Sequence, residues 1–184
     1  MQNKNSIVWV IVVVIVVIAA VGGYLLGSRS GDKNYSQGEN VSASAPVNHA
    51  GIISDLNGKI KNNPKDTEAL FTLADIYFDM KQFDTAAEYY KKVIAIKPDN
   101  ADAYKEIGLA LHYLGKSAEG LGYIEEGLKR NQYNQKMWLT KGFILAYGMN
   151  DLKGARLAWE KTKALDPESQ GGKAAAEYLA KTPK

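Results

Sequence analysis

At 184 residues the chain has room for one ordinary domain with appendages, and 23 Lys/Arg against 20 Asp/Glu leave a formal charge of +3. With so even a balance, 20 basic against 18 acidic residues beyond position 50, neither a nucleic-acid footprint nor an acidic tail stands out. The absence of cysteine rules out disulfides and thiol catalysis, and two histidines cannot build a histidine-rich metal centre.

Residues 1–6 form a short tail ahead of Ile7 to Leu26, IVWVIVVVIVVIAAVGGYLL, a run of 20 residues without a charge. At about 1.5 Å per residue, a helix of that length spans the roughly 30 Å hydrocarbon layer. A cleaved secretory signal would have a shorter apolar stretch closed by a small-x-small site, and the clean match here, Ala43-Ser44-Ala45, lies well past the apolar end. The run 7–26 is therefore expected to be an uncleaved single-pass anchor. Lys4 precedes it and Arg29 and Lys33 follow, so the charge count is close to a tie. The very short tail favours a cytoplasmic amino terminus in an inner membrane, with the remainder of the chain extracytoplasmic. Residues 27–50 are rich in Ser, Gly and Asn and predict a flexible linker with a reach on the order of 25 to 30 Å. His49 is expected there as a solvated linker histidine.

From here the pattern is helical. Ile52, Leu56 and Ile60 make one apolar stripe, predicting a leading helix over 51–65. Pro64 and Pro98 then lie 34 residues apart, and stacking the chain at that period aligns Ala69-Leu70 with Ala103-Tyr104 and Met137-Trp138. Further columns hold Tyr77, Leu111 and Leu145; Ala86, Gly120 and Ala155; and Tyr90, Ile124 and Trp159. Apolar residues at Leu70, Leu73, Ile76 and Tyr77, and again at Ala86, Tyr90, Val93 and Ile94, follow helical spacing, so each unit is two amphipathic helices. Small residues at Ala74, Gly108 and Gly142 let paired helices approach closely. The Asp66-Thr67 and Asp99-Asn100 pairs offer side-chain oxygens that open the following helices.

In these columns the chain resembles the tetratricopeptide repeat (TPR) family, whose 34-residue signature shares Leu70, Leu73, Ala74, Tyr77, Ala86, Tyr90 and Pro98 of the first unit. The resemblance implies an all-α helix-turn-helix superhelix, with three units at 67–100, 101–134 and 135–168 inside 66–168, and a capping helix over 169–182. There are departures. Gln132 stands where proline is expected, so that turn must rely on Asn131 and Asn134. Gly120, Gly122 and Gly127 in one helix cost about 1 kcal/mol each against alanine, which marks a soft spot. Trp138 and Trp159 are 21 apart rather than 20, placing one extra residue in the turn Met149 to Asp151.

The resemblance also implies that the first helices line a concave groove. Its outward positions are Phe71, Asp75, Phe78 and Asp79; then Lys105, Glu106, Leu109, His112 and Tyr113; then Lys136, Leu139, Thr140, Phe143 and Tyr147. Such an aromatic, somewhat acidic wall suits a protein or peptide partner. One TPR subclass clamps the carboxylate terminus of chaperones with Lys, Asn, Asn, Lys and Arg. The corresponding positions here are Phe71, Asp75, Glu106, Lys136 and Thr140, of which only Lys136 matches. No catalytic constellation, cofactor motif or metal cluster is evident, so the expectation is a membrane-tethered binding module and not an enzyme. With its short anchor, repeat units and Leu165-Asp166-Pro167-Glu168-Ser169 ahead of a capping helix, the chain also looks like the TPR subunits of bacterial cytochrome c maturation, which implies holding apocytochrome; a self-assembling envelope, pilus or secretion scaffold is a further alternative.

Overall fold

The computed structural model describes residues 48–182. The tail, the apolar run 7–26 and the linker up to residue 47 lie outside the described residues. Among the described residues there are eight helices and no strand: α1 His49–Asn62, α2 Thr67–Asp79, α3 Phe83–Ile96, α4 Ala101–Tyr113, α5 Ser117–Arg130, α6 Gln135–Gly148, α7 Leu152–Leu165 and α8 Gln170–Lys181. Each packs on its neighbour in sequence, and α4 also meets α6, which gives a superhelical stack of helix pairs. No helix among the described residues is long and apolar enough to cross a membrane.

The 34-residue period is written into the helix starts. Asp66, Asn100 and Asn134 each accept, at 2.9 Å, the backbone N–H three residues further on, satisfying a donor that the helix itself cannot. The turns inside the units repeat as well. Lys81, Gly115 and Asn150 take left-handed φ values of 60°, 76° and 54°. Their spacings are 34 and then 35, which locates the additional residue of the third unit. There the closing bond runs from Asp151 N–H to Leu145 O at 2.8 Å, one residue wider than Gln82 to Tyr77 and Lys116 to Leu111. Where Gln132 replaces proline, the Asn131 side chain accepts from Tyr133 N–H at 3.1 Å and Asn134 caps α6, as the sequence requires.

The flanking helices differ from expectation. Asn48 Oδ1 accepts from Gly51 N–H at 3.1 Å, so α1 begins at His49 and the linker cannot extend to residue 50. His49 is a half-buried first-turn residue, not a free linker histidine. At its other end α1 stops at Asn62, three residues before the expected 65, because the Asn63 side chain holds Lys65 N–H in a turn at 3.2 Å. Its span of 49–62 lies 34 residues before α3 at 83–96, so α1 occupies the place of a second helix. Ser169, 35 residues after Asn134, caps α8 by accepting from Gly172 N–H at 2.9 Å, which gives α8 the place of a first helix. Both ends are half-units.

The core sits between the helices of each pair, where Leu70, Leu73, Tyr90, Val93, Ile107, Ile124, Met137, Ile144 and Trp159 are essentially inaccessible. Two of the three α5 glycines are set by this packing. A side chain at Gly120 would strike the Gly108 backbone, and one at Gly127 would meet Met137 Sδ at 2.8 Å and Tyr104 Cβ at 2.9 Å. Gly122 alone faces open space. The soft spot foreseen in α5 therefore narrows to one residue, since the other two trade helix propensity for close helix approach.

Candidate functional site

The first helices α2, α4 and α6 turn Leu70, Leu73, Ile107 and Ile144 inward, which leaves the positions between them for the opposite face. The fourteen positions expected on that face divide by exposure. Asp79, Lys136 and Tyr147 are exposed, whereas Phe71, Asp75, His112 and Tyr113 are half-buried. Phe78, Lys105, Glu106, Leu109, Leu139, Thr140 and Phe143 are buried, against the expectation of open groove residues.

The reason for burial differs by residue. Phe78 and Phe143 are packed by other rings. Lys105 and Glu106 neutralise each other, with Nζ 2.9 Å from Oε1, which makes burying both charges tolerable. Leu109 and Leu139 are apolar side chains whose removal from water is favourable in itself. Thr140 Oγ1 and the Trp159 indole N–H are buried with no hydrogen-bond partner among the described residues.

What the site does bring together is a row of rings crossing the units. Phe83 lies 5.0 Å from Phe78 and stacks on Tyr113 at 4.9 Å; Phe78 meets Tyr113 edge-on at 5.7 Å. Tyr113 neighbours His112 at 5.5 Å, His112 meets Phe143 at 5.2 Å, and Phe143 meets Tyr147 at 5.0 Å. Each favourable ring pair contributes about 0.5–1.5 kcal/mol beyond area burial, so the buried members hold the open ones in place. Phe83 is the member that sequence reasoning missed, because it opens a second helix whereas the expected groove positions all lie on first helices. Phe71 stands apart, edge-on to Tyr90 at 5.1 Å, and the Tyr90 hydroxyl donates to the Asp75 carboxylate.

At the centre of the row, His112 Nδ1 lies 2.9 Å from Ser117 Oγ, and α6 ends at Gly148, where a side chain would strike both Ser117 and His112. Burial holds the His112 pKa below its ordinary 6.5 and pushes the Tyr147 hydroxyl above its ordinary 10.0, because each charged form would lose water. At neutral pH the row is thus uncharged. Among the described residues no group of three His, Asp or Glu side chains is placed to hold a metal ion.

Capped helix pairs at a 34-residue period, stacked with their first helices side by side, define a helical-repeat interaction protein. The TPR repeat family model matches residues 74–115, and the helices around that match continue the same TPR-like arrangement. Among curated proteins it is similar to the human "Protein O-mannosyl-transferase TMTC3", at 28% identity over 114 residues. That match covers 62% of this chain and 12% of the relative, so the chain spans only a small part of that protein's length. Among solved structures, the crystal structure of MamA superimposes with a TM-score of 0.61 at 21% identity, covering 72% of this chain and 85% of that one. The first TPR of Spaghetti (RPAP3), bound to the HSP90 peptide SRMEEVD, gives 0.56 at 21% identity over 62% and 88% of the two chains. At such identities the likeness is one of fold.

Proposed function

We propose that the chain is a membrane-tethered binding module that engages a protein or peptide partner through the face carrying the ring row. TPR domains as a class bind protein or peptide partners, and the RPAP3 domain does so with an HSP90 peptide. The observation that carries the reading here is the continuous contact from Phe83 to Tyr147, which presents Tyr113 and Tyr147 on a rigid base. Rigid tyrosines with one wet side are the residue type that dominates interface energetics. The uncharged run 7–26 supports tethering, with the repeats on the extracytoplasmic side of an inner membrane.

The partner is not a chaperone carboxylate terminus. Phe71 and Thr140 stand where that subclass places a lysine and an arginine, so of its three cationic positions only Lys136 remains to meet a carboxylate. An apolar or aromatic segment fits the row better. The test is Tyr113→Ala or Phe71→Ala in the full chain, which is expected to weaken partner binding while leaving the helical circular dichroism unchanged. Parallel loss of helicity and binding would return these rings to the core and remove the reading.

A further inference from the structure

On the outer side of the stack, between the second helices α3 and α5 and the start of α4, lies a cleft of ≈ 380 Å³ lined by Ile94, Tyr104, Glu119, Gly122, Tyr123 and Glu126. The repeats themselves supply controls for it. The Gly122 column holds Glu88 in the first unit and Leu157 in the third, so only the second unit lacks a side chain there. A Cβ on Gly122 would meet nothing within 4 Å, so packing does not demand the glycine. The Tyr123 column holds Tyr89 in the first unit, and the Glu126 column holds Lys92 and Lys161 in the other two.

In the first unit Lys92 Nζ lies over the Tyr89 ring at 4.3 Å, so the chain fills that ring face with its own cation. In the second unit the lysine is replaced by Glu126, which is tied to Arg130 at 2.9 Å, while Glu119 has no ion pair or hydrogen bond among the described residues. Lys91 Nζ lies over the Tyr123 ring only at the distant 5.9 Å and is held by Glu88 at 3.2 Å, while Arg130 lies over the other lining ring, Tyr104, at 5.4 Å. We infer that this cleft receives a lysine or arginine side chain from a partner segment, its stem along Ile94 and bare Gly122, and its charge between the Tyr123 ring and Glu119. A cation on a tyrosine face beside an unpaired carboxylate reproduces from outside what Lys92 and Tyr89 do internally. The site lies away from the ring row and stands without it.

The experiment titrates full-length chain, labelled with ¹⁵N-glycine, with acetyl-Gly-Lys-Gly-amide and with the norleucine analogue, which lacks only the charge. The Gly122 resonance is identified by its loss in Gly122→Leu, a change that imitates Leu157. The lysine peptide is expected to shift the Gly122 amide saturably and the norleucine analogue is not. Glu119→Gln, at an exposed position, is expected to weaken binding about two- to fivefold, the order of one exposed ion pair. Equal shifts from both peptides, no shift at Gly122, or unchanged binding in Glu119→Gln would each overturn the proposal.

Discussion

Gly115 and Gly122 are two glycines with opposite consequences. Gly115 has a φ of 76° with open space around its Cβ direction, so Gly115→Ala isolates the backbone term and is expected to destabilise by about 1 kcal/mol. Gly122 is helical and equally open, so Gly122→Ala is expected to stabilise by about 1 kcal/mol. Denaturant midpoints for the two variants should move in opposite directions at unchanged slope. His112 is the other residue with a measurable signature. Burial lowers its folded pKa below 6.5, so between the folded and unfolded values the unfolded chain binds more protons. The stability contributed by neutral His112 is complete above 6.5 and is lost as pH falls through the folded value. Urea titrations from about pH 8 down to about pH 5 should show that decline, and His112→Gln should flatten it.

At the scale of the element, the end helices carry the strongest expectation. Trp159 is 1% exposed and stacks on Tyr178 of α8 at 4.8 Å. Arg156 Nη1 donates to Leu179 O and Thr182 O at the carboxyl end of α8, and the Ser169 hydroxyl donates to Gln135 Oε1 at 2.9 Å. Tyr178→Ala should therefore cost about 2 kcal/mol by uncovering the indole, measurable as a fall in thermal midpoint with a red-shifted tryptophan emission. Asn134→Ala removes the cap of α6 at the turn between units where Gln132 stands in place of proline and should cost about 1 kcal/mol, no less than Asn100→Ala, where Pro98 remains.

Across the whole molecule, the sequence shows the fold well wherever a column repeats. Prolines, small residues and caps recur at 34, and the displaced spacing of Trp138 and Trp159 locates the added turn residue that Asn150 takes up. Legibility fails at the ends. Residues 49–62 and 170–181 carry few signature residues, and only the positions of their caps reveal them as halves of units. It fails again at the site, because Lys105, Glu106 and Thr140 have the spacing of groove residues and nothing in the spacing reports their burial. The ring row is half legible. Its first-helix members follow from the period, while Phe83 enters only through the turn that folds α3 back on α2.

The account depends on the face of α2, α4 and α6 being the one that meets the partner. Site-specific photo-crosslinking in cells reads this directly, with the probe placed at Tyr113, at Tyr147 or, on the outer side, at exposed Glu160. The account predicts one shared adduct from the two tyrosine positions and none of that mass from Glu160. An adduct of that partner from Glu160, with silence at both tyrosines, would contradict it.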